Sequence, residues 1–400
     1  MGLPDKVRLE MAIADKPTDL SEQGLESVKA GEQAAGSGHA MAKPLQASTE
    51  PKDGWVRQKL PRERLNWVNV IFFGVISVLA IYAIYSLTRN PPSAKVVWLS
   101  LALYLFTAYG ITMGFHRYFT HGSFKCVRPV RWMLVIGGNL AVQGTMLKWV
   151  SDHRIHHIHS DKARWLRWQQ GQQGHDPHSP TEYPGSRGLW HAHMGWLMRQ
   201  RENCWVNMRD KQYEGRQLDD DRLVRVASDP RVYVGFVVAR LGLPWAIAGN
   251  NGFLVAGVLT TCAVHHVTFA INSITHRWGS RTVRDNNGRW YIKDLSTDFG
   301  GLFALVTGGE SYHNGHHLDE ECAFHGRKWY QLDSTKWAIL LMERMKLVWD
   351  VRKPGRRPLR FNSSQYEQPA RFDRPRVVER WVPPESGPLP TQRNRQLTAR

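Results

Sequence analysis

The 400-residue sequence predicts an all-α integral membrane protein, with four transmembrane helices in two hairpins and a helical cap on the cytoplasmic side. Three observations carry this reading. Four apolar stretches of crossing length come as two close pairs, basic residues flank both pairs on one side, and the histidine clusters all fall on that same side. The formal charge of +18, with only 22% charged residues, reflects scarce acids as well as many arginines. Such a balance suits nucleic acid or an anionic membrane surface equally. The 17 tryptophans favour the membrane, because indole settles where one edge is apolar and the other wet. Mean hydropathy is -0.43, a value diluted by polar tails and a large cap.

Residues 1–60 form a polar tail with no apolar segment that would serve as a cleavable signal, and the composition predicts disorder there. The membrane domain covers 61–355. Its first two runs, Trp67 to Leu87 and Val96 to Phe115, carry no charge, and each is long enough to cross about 30 Å of hydrocarbon. The connector Thr88 to Lys95 contains Pro91 and Pro92, which predicts a short turn and thus a hairpin. The second pair, Val232 to Ala248 and Gly252 to Ile271, is separated only by Gly249, Asn250 and Asn251. Arg240 lies inside it and needs a partner or a route to the interface. Lys52, Arg57, Lys59, Arg62 and Arg64 precede the first run and a long basic stretch follows the second. The excess of cations puts both in the cytoplasm, so the N-terminus, 116–230 and everything after about 272 share that side. Trp132 to Leu147 is apolar but short and interrupted by Gly137, Gly138, Asn139 and Gln143, which predicts an interfacial or buried helix that does not span. TKWAILLMERMKLVWD after Ser334 has the stripe of an amphipathic helix. Residues 356–400 are a basic Pro/Arg-rich tail, with a surface suited to an acidic electron donor.

Cys126, Cys204, Cys262 and Cys322 are scattered and form no Cys-x-x-Cys pair, which argues against a zinc ribbon, an iron–sulfur cluster or a disulfide framework. The histidines are different. HRYFTH supplies His116 and His121, HRIHH supplies His153, His156 and His157, and HNGHH supplies His313, His316 and His317. NSITH adds Asn272 and His276. The spacing i, i+3, i+4 puts three imidazoles on one helical face. A lone pair of histidines is more often surface decoration than a ligand set. Three clusters, two with identical spacing and all on one side of the membrane, are not so explained. Nine candidate ligands exceed the four of one closed zinc site, which points to two metal ions, and oxygen chemistry would require iron because zinc does not change oxidation state. Asp152, Asp161, Glu310 and Asp319 flank the clusters and are candidates to orient imidazoles through the other ring nitrogen. His265 sits on the His276 face but about 16 Å away along the helix. His266, His159, His175, His178, His191, His193 and His325 receive structural, supporting or surface roles. Tyr104 and Ala108, one turn apart on the second run, are candidate tunnel residues.

YGITMGFHRYFTH, WVSDHRIHHIHSD, GHDPHSP, GLWHAHMGWL, NSITH and SYHNGHH together resemble the membrane-bound acyl desaturases of the stearoyl-CoA desaturase and bacterial acyl-lipid Δ9 class, in that family's order and over residues 65–350. The resemblance implies a mushroom-like fold whose cytoplasmic cap holds a di-iron site. It carries the metal ligands to His116, His121, His153, His156, His157, His276, His313, His316 and His317, with Asn272 reaching a metal through water. It also implies molecular oxygen as co-substrate, a fatty acyl substrate, and a cis double bond as product. Ala163 to Gly174 departs from the pattern as an insertion. No His-Pro-Gly-Gly motif marks a fused haem carrier, so electrons are expected from a separate donor such as a ferredoxin. A bacterial inner membrane is the expected location. The nearest rival is a di-iron acyl hydroxylase. A non-catalytic metal transporter or sensor would want more ionisable groups in the spans, and no basic motif interleaved with stacking aromatics supports nucleic acid as a partner.

Overall fold

The computed structural model describes residues 64–163, 174–200, 218–280 and 294–354. The N-terminal and C-terminal tails, nearly all of the Ala163 to Gly174 insertion, Cys204 and the basic residues before Arg64 lie outside the described residues.

Among the described residues three helices are long and apolar enough to cross a membrane: Trp67–Arg89, Ala94–Thr120 and Pro230–Ile274. The first, α1 (Trp67–Arg89), starts where the Asn66 side chain accepts the Asn69 N–H at 3.2 Å, a cap that satisfies one of the orphan donors of the first turn. Only Phe73, Ile76, Ala80 and Ala83 are buried, a stripe at helical spacing. The opposite face exposes Val68, Val78 and Ile81 at 77, 66 and 68%, apolar surface that is stable only against hydrocarbon. α2 (Ala94–Tyr109) is capped by Ser93 and runs on without a break into a π-helix, Gly110–Thr120, every residue of which is buried. The chain thus passes from a half-exposed membrane helix directly into the cap.

The 45-residue third helix is not continuous. Ala248 and Gly249 are non-helical, Gly249 at φ 59°, ψ -152°, a region open to glycine and strained for other residues. The helix therefore folds back, and a Cβ on Gly252 would lie 2.1 Å from the Pro244 carbonyl oxygen. The two arms are α7 (Pro230–Asn251) and a π-helical turn, Gly252–Leu259, that continues as α8 (Thr260–Ile274). Arg240 finds its partners across this bend. Its guanidinium donates to the Ala256 carbonyl at 3.0 Å and to the Thr260 hydroxyl at 2.7 Å.

The segment predicted over Trp132 to Leu147 is two helices, α3 (Arg128–Leu140) and α4 (Met146–His159). The turn between them needs positive φ at Val142 (56°) and Gly144 (100°). At 13 residues, α3 is about 20 Å long, too short to span. It crosses the π-helix on glycine, since a Cβ on Gly110 would lie 2.1 Å from the Gly137 carbonyl carbon. The cap is completed by α5 (Gly185–His193), α6 (Arg222–Ala227), α9 (Leu302–Val306), α10 (His313–Leu318) and α11 (Ser334–Arg344). Its core joins Phe115, Phe119 and Phe124 to Leu134, Val150 and Ile339. A two-residue antiparallel pair, β1 (Lys125–Cys126) with β2 (Val348–Trp349), ties the chain after α11 to the loop after the π-helix. Cys126, Cys262 and Cys322 are unbridged.

Candidate metal centre

His116 and His121 are five residues apart, which in an α-helix would set them about 140° apart around the axis. The π-helix closes i→i+5 bonds instead, and the His121 N–H donates to the His116 carbonyl at 3.2 Å. The two rings consequently share a face, their centroids 5.0 Å apart. On α4, His153 and His157 are four residues apart and nearly eclipsed, whereas His156 points about 60° to the other side. On α10 the same relation holds for His313, His317 and His316.

These directions sort the nine histidines into two buried or nearly buried groups: His116, His121, His153, His157 and His316, and His156, His276, His313 and His317. The two His-x-x-His-His clusters exchange members. α4 gives its eclipsed pair to the first group and its odd residue to the second, and α10 does the reverse. The sequence reading of one shared face per cluster is therefore refined to one pair and one crossing ligand.

Within the first group Nε2 atoms approach at 3.0 Å (His116 to His316), 3.0 Å (His316 to His157) and 3.1 Å (His157 to His153). In the second they approach at 3.0 Å (His313 to His276), 3.0 Å (His317 to His313) and 3.2 Å (His156 to His317). The atoms of each group lie close enough together to share one ion.

Carboxylates fix which nitrogen faces inward. His116 donates its Nδ1–H to Glu310 at 2.5 Å, His156 to Asp176 at 3.0 Å, His276 to Asp161 at 3.1 Å and His317 to Asp294 at 2.7 Å. His157 faces Glu320 at 3.3 Å. With the proton on Nδ1, each Nε2 presents a lone pair to its neighbours. Converging lone pairs repel unless a cation lies among them, so this donor set fits a metal. Burial alone would raise the Asp176 carboxyl, yet His156 and His178 hold it well below the usual carboxylate range. Glu310 is likewise pushed down against its burial, by His325, His116 and Arg117.

Of the four flanking acids singled out in the sequence, Asp161 and Glu310 reach cluster histidines. Asp152 instead pairs with Lys148 at 2.9 Å, because the position before His153 turns about 100° away from it. Asp319, at the end of α10, faces Arg327 at 3.4 Å. Asp176, Asp294 and Glu320 were not anticipated. Asp176 lies in the GHDPHSP motif, and its carboxylate also accepts the Asp161 and His178 N–H groups, which folds that loop across the second group. His325 and His178 supply walls, their rings 4.4 Å from His316 and 4.2 Å from His156. His265 turns away, to the Ala141 carbonyl at 2.9 Å, and His193 pairs with His266 at 2.9 Å.

Arg117, beside His116, is fully buried. Its guanidinium donates to Glu310 at 3.0 and 3.1 Å, to Asp333 at 3.1 and 3.3 Å, and to the Ala323 carbonyl at 2.7 Å. Asp333 in turn caps α11 through the Lys336 N–H and accepts the His325 and Gly326 N–H groups.

A narrow cavity of about 60 Å³ ends on this centre. Tyr104 and Ala108 line it together with His116, His153, His313 and Asn272, so both tunnel candidates and the asparagine border one space beside both histidine groups. The Tyr104 hydroxyl donates to the Val306 carbonyl at 3.1 Å, which holds the phenol in place.

A family model described as fatty acid desaturase matches residues 92–347. Curated relatives include the sn-1 stearoyl-lipid 9-desaturase of Anabaena variabilis, 32% identical over 73% of this chain and 95% of that protein. The Acyl-CoA C20 Delta5-desaturase of Anemone leveillei is 32% identical over 78% of this chain and 88% of its own length. A hex-5-enoyl-[acyl-carrier protein] acetylenase of Moorena producens is 30% identical over 71% and 85% respectively.

Proposed function

The chain belongs to the fatty acid desaturase family, and from that premise we propose that its nine histidines hold two irons which, with molecular oxygen, introduce a cis double bond at the Δ9 position of a lipid-linked saturated acyl chain. It is an oxidoreductase of fatty acyl chains and a metal-dependent membrane protein; the metal count, position of the bond and acyl carrier are the proposal. The observation that carries it is the convergence of two sets of Nε2 atoms beside a cavity that reaches toward the membrane-helix residues Tyr104 and Ala108. The irons would supply the oxidising power that no side chain has against an unactivated methylene. His116, His121, His153, His157 and His316 hold one ion, and His156, His276, His313 and His317 the other, with Asn272 reaching the second through water. The five partner carboxylates keep protons on Nδ1 and the rings aimed.

The methylene offers nothing polar to recognise, so the bond position follows from how far the chain slides before its end is blocked. The name of the Anabaena relative supports Δ9 and a lipid-linked carrier; relatives named for other positions make the cavity the deciding element. The cap faces the cytoplasm of a bacterial inner membrane, where a separate redox protein such as a ferredoxin delivers two electrons per turnover.

Fatty-acid profiling of a desaturase-deficient host expressing the full chain tests this reading. A new Δ9 cis-monounsaturated acid, absent with His156→Ala, is the expected result; a hydroxylated acid would move the chain to the hydroxylase rival, and a bond elsewhere would overturn Δ9. Tyr104→Ala removes the phenol held at Val306 and deepens the cavity. At about 5.4 Å of depth per helical turn, opening one turn is expected to shift product toward chains longer by about four carbons. An unchanged chain-length profile would show that Tyr104 does not limit the cavity.

A further inference from the structure

A larger cavity lies apart from the metal centre and shares no lining residue with the acyl cavity. It is an open groove of about 570 Å³ along α1. One wall is the α1 face from Trp67 to Ser77, a run of about 15 Å at about 1.5 Å per residue. The other is formed by Trp190 of α5 and by Met194 and Met198 at the turn that follows it. This wall is pinned to the start of α1: the Asn66 N–H donates to the Met198 carbonyl at 2.9 Å, and the Asn69 side chain donates to the Leu197 carbonyl at 2.8 Å.

The groove has two chemically distinct parts. Arg199 pairs backbone to backbone with Leu65, just before the membrane helix begins, and Arg187 stands exposed on the first turn of α5 with its guanidinium 4.3 Å from the Tyr183 ring. Among the described residues no carboxylate lines the groove. Farther along α1 the lining is Phe73, Gly74 and Ser77, within the apolar stretch. An amphiphile with an anionic head and an extended hydrocarbon tail complements both parts.

We propose that this groove is a binding site for one anionic membrane phospholipid, its phosphate held by Arg187 and Arg199 and one acyl chain laid along Phe73, Gly74 and Ser77. Guanidinium matches phosphate through paired, charge-assisted hydrogen bonds, and an apolar trough open to the bilayer is filled by hydrocarbon in preference to water. The lipid is a resident of the membrane domain, not the acyl chain that reaches the histidines, and the inference does not depend on the metals or the reaction.

Gly74 makes the test clean. A Cβ there meets nothing within 4 Å, so Gly74→Leu projects into the groove, and leucine is the better helix former by roughly 1 kcal/mol. The full chain, purified in detergent and delipidated, is incubated with phosphatidylglycerol or phosphatidylcholine, and bound lipid is counted by native mass spectrometry. One retained phosphatidylglycerol per chain is expected, with retention lowered about tenfold by Gly74→Leu through occlusion. The double variant Arg187→Gln, Arg199→Gln should also lose about tenfold, through its charge-assisted hydrogen bonds, and with it the preference over phosphatidylcholine. Size-exclusion profiles confirm that each variant is folded, and the arginine pair carries the test if the glycine variant is not. Retention unchanged in a folded variant of either kind, or no retained lipid in the parent chain, overturns the proposal.

Discussion

His316→Ala is expected to abolish desaturation, with at least a 100-fold loss in product, and to reduce metal content toward half. Replacing an outer partner of a ligand already costs about 10–100-fold, and His316 stands at the centre of its group. Its Nε2 lies 3.0 Å from those of both His116 and His157. Alanine there removes the donor that joins the π-helix to α4, leaving His116, His121, His153 and His157 without the α10 contribution. The measurement is iron per chain alongside product yield in monodisperse protein. Full iron with full activity would remove His316 from the centre. A folded protein that keeps about one ion per chain and loses turnover is the outcome that matches two interdependent groups.

Arg117→Met should produce a large loss of stability in the cap. The guanidinium is buried with two carboxylates, Glu310 and Asp333, on its two edges. Methionine fills much of the volume but leaves both acids buried without their cation, and breaking such a pair by removing one member costs about 3–5 kcal/mol. For a domain of this size that corresponds to roughly a 10 °C fall in the unfolding midpoint, readable by thermal denaturation in detergent. Arg117→Lys keeps the charge but not the fork that serves both acids and the Ala323 carbonyl, so its midpoint should fall between the two. Because Glu310 also holds His116, the methionine variant should lose metal as well. A midpoint within 2 °C of the parent, roughly 1 kcal/mol or less, would mean the acids find other partners.

Much of this arrangement is legible in the sequence because it depends on local spacing. The uncharged runs from Trp67 and Val96 mark α1 and α2, and Gly249 with two asparagines marks the fold-back between α7 and α8. The four histidine motifs identify all nine members of the two groups. What is not legible arises from geometry that spacing alone does not encode. No residue pattern announces that α2 changes to i→i+5 bonding at Gly110, although that change is what aligns His116 with His121. The break at Val142 and Gly144 is hidden inside an apolar run. Asp176, Asp294 and Glu320 come to the histidines along chain paths that no periodicity describes, whereas Asp152, adjacent in sequence to His153, faces away for a simple helical reason. The fully buried Arg117 reads in the sequence as one more basic residue in a basic protein.

The exchange of members between the two His-x-x-His-His clusters makes the nine histidines one unit. α4 and α10 each feed both groups, so neither helix belongs to a separable half. A deletion confined to one helix would remove histidines from both groups at once. An inserted residue between His153 and His156 would likewise disturb the two together. A shift of either helix therefore reaches both groups, whereas a change in the cavity or in one acid behind a ring acts locally.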